Sequence, residues 1–411
     1  MYIKIVTMYI KIIPVLLLVG VLNPIHCETL NPVIIVPGDG GSQMDAVLNK
    51  TSVVHFFCRK ESRLYNIWIN IKELLPAVID CSIDNLRLVY DNVTRTTSNS
   101  PGAEIYIPGF GNTETVEYLD PSLQISVLGY FADIVNSLTK WGYIRGQSVR
   151  AAPYDFRKAP NEMGVYFIKL KNLIEDTYIM NNNTPVVLLA HSLGGCVSLY
   201  FLNNQAQSWK DKYISKYVTV SAPWGGTIKS LLLFTSGYTF DYVPSEPRHM
   251  RRLQRTMPSS AFLMPSDRFW TSDEVLVVTP FKNYTVNDYK EFFNDLDLDF
   301  AYQMRIDTGH LIRDLKPPGV DVYCVHGQDI PTPHMLVFDT DSHRWPDDPP
   351  RYVYGDGDET VGVRSLTGCL RWVGQQKQEV NHQVFPKLKH LEILSSEYLK
   401  DYLKSILFNN N

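Results

Sequence analysis

The chain switches repeatedly between short runs that are apolar throughout and longer stretches whose apolar residues recur every three or four positions. Asn31-Pro-Val-Ile-Ile-Val ends at Pro37-Gly38, and Pro185-Val-Val-Leu-Leu-Ala and Tyr217-Val-Thr-Val follow the same style. Continuous rather than alternating runs are what strands of a parallel sheet covered on both faces require. Val320 to Val325 and Tyr352 to Tyr354 read as later strands. Between the first and second runs, Tyr130 to Trp141 places Phe131, Ile134, Val135 and Leu138 on one helical face. Glu162 to Tyr178 does the same with Met163, Phe167, Leu170 and Ile174. A helix is expected from Gly194 to about Asn203, and Leu391 to Leu407 reads as a terminal helix with Leu394, Leu399, Leu403 and Ile406 in register. Alternating strands and helices over this length predict the α/β class, as one domain with insertions.

Two stretches depart from the alternation. Ile67-Trp-Ile-Asn-Ile-Lys-Glu-Leu-Leu-Pro is rich in large apolar residues and lies between Cys58 and Cys81. Ser236 to Pro265 carries Pro and Arg without a long period, as a surface loop or lid would. The amino terminus differs again: Lys4 and Lys11 precede an apolar run from Ile12 to Leu22 that contains Pro14. That run is too short to cross a bilayer core and suits the apolar region of a secretory signal peptide, with cleavage after Cys27. Four N-x-[ST] sequons, at Asn49, Asn92, Asn182 and Asn283, fit entry into the secretory pathway.

Composition narrows the reading further. With 45% hydrophobic and 20% charged residues in 411, a sizeable core is available and a disordered chain is excluded. A formal net charge of −4 leaves no electrostatic footprint for nucleic acid. Of six cysteines, five remain once Cys27 leaves, so at least one thiol is free. Spacing suggests local bridges, Cys58 to Cys81 and Cys324 to Cys369, with Cys196 left over, although spacing alone leaves the connectivity open. No C-x-x-C pair or dense His/Cys cluster occurs, so no metal site is expected.

The strongest chemical signal is Ala190-His191-Ser192-Leu193-Gly194, set between an apolar strand and a helix that opens on small residues. This is the context of a nucleophile elbow, with Ala190 where the first glycine usually stands. A serine hydroxyl attacks only when a base takes its proton and a carboxylate orients that base, and on such an elbow the partners follow in the order Ser, Asp, His. Gly355-Asp-Gly-Asp-Glu-Thr-Val follows the strand at Tyr352–Tyr354, and beyond it only His382 and His390 remain. His390, directly before the terminal helix, is preferred; His382 lies in an alternating, strand-like stretch. Asp356 and Asp358 are equivalent on these grounds. A calcium loop starting at Asp356 fails, because Val361 and Thr367 stand where Gly and Glu are needed. An acyl transfer also needs amide donors for the oxyanion. The backbone N–H of Leu193 is one, and the turn Pro37-Gly-Asp-Gly-Gly is suited to supply the other.

Taken together, these segments resemble the family of lysosomal phospholipase A2 and plasma lecithin–cholesterol acyltransferase. The likeness is carried by Val36-Pro-Gly-Asp-Gly-Gly, Ile67-Trp through Leu75-Pro76, Pro108-Gly-Phe-Gly, Ala152-Pro-Tyr-Asp-Phe-Arg, Ala190-His-Ser-Leu-Gly, Ser221-Ala-Pro-Trp-Gly-Gly and Gly355-Asp-Gly-Asp-Glu-Thr-Val. It implies a signal peptide over 1–27 and a single α/β-hydrolase domain over 28–411, with a disulfide-pinned membrane-binding insertion at 53–85 and a lid or cap at 226–275. It implies Ser192 as nucleophile, Asp358 as triad acid, His390 as base and the amides of Asp39 and Leu193 as oxyanion donors, which leaves Asp356 as a turn residue. It supports Cys58–Cys81 and Cys324–Cys369 as the bridges. The implied activity is a serine acylhydrolase and transacylase of the phospholipase A2/A1 kind, without a cofactor. It would cleave a glycerophospholipid acyl ester and pass the acyl group to water or to a lipid alcohol such as ceramide. The alternative is a secreted phosphatidylcholine–sterol O-acyltransferase acting on lipoproteins. The implied partners are a phospholipid membrane or lipoprotein surface and a lipid acyl acceptor. Ile67, Trp68, Ile69, Leu74 and Leu75 would meet the lipid, because an aromatic and aliphatic run pinned by a bridge can bury its side chains there. Val380-Asn-His-Gln-Val is closer to the lysosomal branch, which points to the lysosomal lumen ahead of the extracellular space.

Overall fold

Six parallel strands form the centre of the molecule in a computed structural model that describes residues 30–123, 129–239, 245–338 and 345–408. The leader expected over 1–27 lies outside these residues, as do residues 240–244 of the lid. Across the sheet the order is Val380–Pro386, Val322–Gln328, Ile214–Val220, Val186–His191, Val33–Val36 and Val149–Ala151. Val33 to Val36 and Val186 to His191 are buried at every position. Such strands have no solvent face, which is why their sequences do not alternate. The first strand pairs on one side with Val186–His191 and on the other with Val149–Ala151. Strand order reverses there, and ligands of open α/β sheets gather outside the carboxyl ends of the strands at such a point. Pro37–Gly41 and Ser192 lie at those two carboxyl ends. The architecture is the α/β-hydrolase fold.

The expected helices are present with shifted ends. The helix with Phe131 starts at Ala132, the next runs Gly164–Met180, and the one behind Ser192 runs Leu193–Asn203. The terminal helix is split: a 3-10 turn over Glu392–Ser395 is followed by Glu397–Phe408. Ser396 is extended between them, and its hydroxyl accepts from the N–H of Leu399 at 3.2 Å, so a new helix is capped there. The strand leading to Asp358, Arg351–Gly357, belongs to a second sheet, antiparallel to Ile330–Val337.

Both insertions pack more tightly than their sequences suggest. Met44–Asn49 pairs with Glu61–Trp68 and with Ala103–Tyr106 in a small antiparallel sheet. Disulfides join Cys58 to Cys81 and Cys324 to Cys369. The lid or cap expected over 226–275, read as irregular from Ser236 to Pro265, holds three short helices among its described residues, Lys229–Phe234, Pro247–Gln254 and Pro258–Phe262. Pro247 and Pro258 open two of them, where a missing N–H costs nothing. In the middle helix Met250, Leu253 and Gln254 face inward while Arg248 and Arg252 face out, so the apolar stripe is too narrow to stand out in the sequence.

Four of the five residues expected to meet lipid are part of the core. Ile67, Trp68, Ile69 and Leu74 are at most 1% exposed, and only Leu75, at 45%, faces solvent. Ile67 and Trp68 end a paired strand whose inner face lies on the core, and the Trp68 indole N–H donates to the Gly40 carbonyl at 2.9 Å. The exposed apolar side chains of this insertion are Val54, Phe56, Phe57, Leu64 and Leu75.

Candidate active site

Ser192 sits between the strand Val186–His191 and the helix Leu193–Asn203 with φ +54°. That left-handed backbone is rare for a residue with a Cβ and marks stored strain, which the surrounding contacts must hold. The turn is tight enough to exclude side chains behind the serine. A Cβ on Gly194 would lie 2.4 Å from the Pro37 carbonyl oxygen, and one on Gly195 would lie 2.6 Å from the Ala222 Cβ. Ala190 is fully buried and accepted in place of the usual glycine.

The partners arrive from distant segments. His390 Nε2 is 2.9 Å from Ser192 Oγ, and His390 Nδ1 is 2.8 Å from Asp358 Oδ2. The other Asp358 oxygen accepts the N–H groups of Val361 at 2.7 Å and Thr360 at 3.1 Å, and the His390 N–H donates to the Asp358 carbonyl at 2.8 Å. Burial pushes the Asp358 carboxyl up, but His390 and the two amides outweigh it and hold the group below its ordinary value. It therefore stays a carboxylate that fixes the imidazole with Nε2 toward the serine. Asp356 points elsewhere, to the Asp329 N–H and the Gln328 amide. His382 is hydrogen bonded Nε2 to Nε2 with His326 at 2.8 Å and takes no part.

Opposite the imidazole, the Pro37–Gly41 turn crosses against the serine: a Cβ on Gly38 would lie 2.9 Å from Ser192 Cβ. Leu193 opens its helix, so its N–H has no intrahelical partner. Asp39 lines the same cleft as Ser192, and Leu193 directly follows the serine. Asp39 Oδ1 is buried without a hydrogen-bond partner, and burial raises its carboxyl to about 7 against the opposing pull of the Gly40 amide. Above these groups opens a cleft with Leu233, Leu263, Val361 and Leu391 in its walls and Lys229, Glu359 and Lys389 among its polar lining. An apolar channel ending on a nucleophile, base and acid is suited to acyl transfer from a long-chain ester.

Known proteins similar to this chain fall in one family. The family model described as lecithin:cholesterol acyltransferase matches residues 64–316 and 309–397. The chain belongs to the lecithin:cholesterol acyltransferase family. It is 43% identical over 377 residues to the lysosomal phospholipase A and acyltransferase of Homo sapiens, covering 92% of this chain and 90% of that protein. It is 41% identical to the phosphatidylcholine-sterol acyltransferase of Gallus gallus, over 89% and 87% of the two chains. The solved Tle4–Tli4 complex has a chain of similar fold, with TM-score 0.53 and 13% identity over 92% of this chain and 98% of that one.

In this family member the four sequon asparagines, Asn49, Asn92, Asn182 and Asn283, are all exposed. Cys196 is buried and free, and burial pushes its thiol up, away from the reactive thiolate. Two residues of the site carried no signal in the sequence. Tyr130 reads only as the start of a helix, yet it reaches Gly38 and His191. Trp68 reads as a lipid anchor, yet it holds the Gly40 carbonyl. Among the described residues no cluster of three or more His, Cys, Asp or Glu side chains could hold a metal, and no helix is long and apolar enough to cross a membrane.

Proposed function

We propose that this chain is a serine acylhydrolase and transacylase acting on glycerophospholipids. The observation that carries the reading is the continuous line from Asp358 through His390 to Ser192 at the floor of an apolar cleft. Ser192 Oγ attacks the ester carbonyl while His390 Nε2 takes its proton. The oxyanion is held by the N–H groups of Asp39 and Leu193. His390 then protonates the departing lysophospholipid oxygen, leaving an acyl group on Ser192. In the second half His390 deprotonates water or a lipid alcohol such as ceramide, which takes the acyl group and frees the serine.

The substrate lies in a lipid surface, and the Cys58–Cys81 insertion is the part of the chain suited to meet it. Phe56 and Phe57, just before Cys58, are 98% and 50% exposed, and with Leu64 and Leu75 they are among the exposed apolar side chains of the insertion that the bridge holds. The relatives with 43–44% identity are named as lysosomal enzymes, which supports the lysosomal lumen as the address, with the exposed sequons fitting passage through the secretory pathway. Replacing Ser192 by Ala should abolish release of fatty acid from phosphatidylcholine liposomes, and hydrolysis surviving the change would sink the assignment. Offering ceramide and cholesterol together at acidic and neutral pH tests the acceptor. Acylceramide at acidic pH is expected, whereas cholesteryl ester as main product at neutral pH would favour the secreted phosphatidylcholine–sterol acyltransferase reading.

A further inference from the structure

The oxyanion turn is short and glycine-rich, so something besides the Trp68 bond to the Gly40 carbonyl must fix the direction of its amides. The hydrogen bonds around Tyr130 show what does. Gly38 N–H donates to Tyr130 Oη at 2.8 Å, Tyr130 Oη lies 2.6 Å from His191 Nδ1, and His191 Nε2 lies 3.0 Å from the backbone carbonyl of His390. The direction of every proton in this chain follows from its far end. A carbonyl oxygen can only accept, so His191 Nε2 carries the hydrogen. Burial, reinforced by the neighbouring His390, lowers His191 to about 3, so its imidazole is neutral and Nδ1 is bare. Nδ1 must then accept the Tyr130 hydroxyl proton, which leaves the Tyr130 oxygen to accept from Gly38.

Packing repeats the same connections. The Tyr130 and His191 rings meet edge to face with centroids 5.5 Å apart, and the His191 and His390 rings lie 4.9 Å apart. A Cβ on Gly41 would fall 2.5 Å from the Tyr130 ring, so the ring fills the inside of the turn. Tyr130 itself is held by its N–H, which donates to the Glu117 carbonyl at 2.8 Å. The hydroxyl, amide and imidazole meet in buried bonds, and a partner lost there is costly.

We propose that Tyr130 and His191 are positioning residues: a hydrogen-bonded brace that sets the Gly38–Asp39 turn in register with Ser192 and with the backbone of His390. The brace touches no reacting atom. It acts on the geometry of the oxyanion amide, which matters because donors in place before the reaction stabilise the transition state without reorganising. Both half-reactions pass through the same oxyanion, so both depend on it equally. This inference rests on the serine acyl-enzyme reading of the site.

The test uses the full-length glycosylated protein with Tyr130→Phe, His191→Gln and His191→Leu, and Ser192→Ala as reference. Hydrolysis and acyl transfer are followed on phosphatidylcholine–ceramide liposomes, and phosphonylation of Ser192 by a p-nitrophenyl alkylphosphonate is timed in parallel. Tyr130→Phe is expected to lower kcat by about tenfold to a hundredfold with apparent KM within about twofold. Phosphonylation should slow in the same proportion, and the ratio of transfer to hydrolysis should not move. His191→Gln offers an amide N–H to the His390 carbonyl and an oxygen to Tyr130, so it should keep more kcat than His191→Leu. Wild-type kcat and phosphonylation in Tyr130→Phe, or a loss confined to KM, overturns the brace. Should Tyr130→Phe fold poorly, the His191 pair decides, and equal kcat in Gln and Leu overturns it. Activity persisting in Ser192→Ala would instead overturn the acyl-enzyme reading, whereas an inactive Ser192→Ala beside an unimpaired Tyr130→Phe removes the brace alone.

Discussion

A negative charge beside an oxyanion opposes the charge that forms there, so the ionisation of Asp39 bears on turnover as well as on stability. Folded, this carboxyl keeps its proton up to about pH 7 because it is desolvated; unfolded, it releases it near pH ~4. Between those values the folded state binds more protons than the unfolded one. Its contribution to stability is therefore full below about pH 4 and lost as pH rises through about 7. Activity should fall through the same upper range as the carboxylate forms. In Asp39→Asn the stability dependence should flatten and the fall in turnover above about pH 7 should disappear. Melting temperatures and liposome turnover across that range check it, and an unchanged decline in the variant would place the titrating group elsewhere. At this scale Ser192 and His390 were legible because their order along the chain is itself a constraint. Asp358 needed the family resemblance to part it from Asp356; the His390 imidazole and the Val361 and Thr360 amides on its carboxylate show why it is the one. Tyr130 was invisible because its partners lie 92 and 61 positions away, with nothing local to mark them.

At the scale of elements, the Cys58–Cys81 insertion divides its apolar residues between two tasks. Ile67, Trp68, Ile69 and Leu74 face the core and Trp68 steadies the oxyanion turn, while Phe56 and Phe57 face outward. Composition announces that such a stretch is apolar but not which way it faces; that is decided by the register of Glu61–Trp68 on Met44–Asn49. Each phenylalanine placed in lipid gains about 2 kcal/mol. Phe56→Ser with Phe57→Ser should thus lower binding to phosphatidylcholine vesicles about tenfold or more, with hydrolysis of a water-soluble short-chain ester unaffected. Vesicle sedimentation alongside an ester assay reads both, and equal binding by the variant would move the lipid contact to another surface. The insertion is also joined to the lid. Asp80, one residue before Cys81, accepts from His55 at 3.1 Å and, in the helix Pro247–Gln254, from His249 at 3.1 Å and Arg252 at 3.0 Å. The lid helices went unread because their prolines, normally punctuation, here serve as first residues.

Across the whole molecule, the site gathers Asp39, Ser192, Asp358 and His390 onto one sheet edge, so no half of the chain assembles it. The alternation of strands and helices was enough to give the class, because burial on both faces leaves a plain apolar signature. The strand order and the placement of Arg351–Gly357 outside the central sheet depend on long-range pairing that leaves none. The Cys324–Cys369 bridge, which closes a separation of 45 residues, encloses the segment bearing Asp358. Closing a loop of that length stabilises the fold by about 4 kcal/mol through the unfolded chain. The Cys324→Ala, Cys369→Ala variant should lose about that much in urea unfolding, and turnover should fall with it as Asp358 loosens. A midpoint equal to wild type would mean the bridge contributes nothing to the native balance.

The position of His390, after the last strand of the central sheet, has a consequence in time. Synthesis delivers the oxyanion turn first, the nucleophile midway and the base near the end. A chain made only as far as the nucleophile therefore has nothing to take the proton of Ser192, and it stays chemically silent until His390 has been made and folded into place. Every premature stop upstream of codon 390 leaves a product of the same silence, however much of the sheet it manages to build.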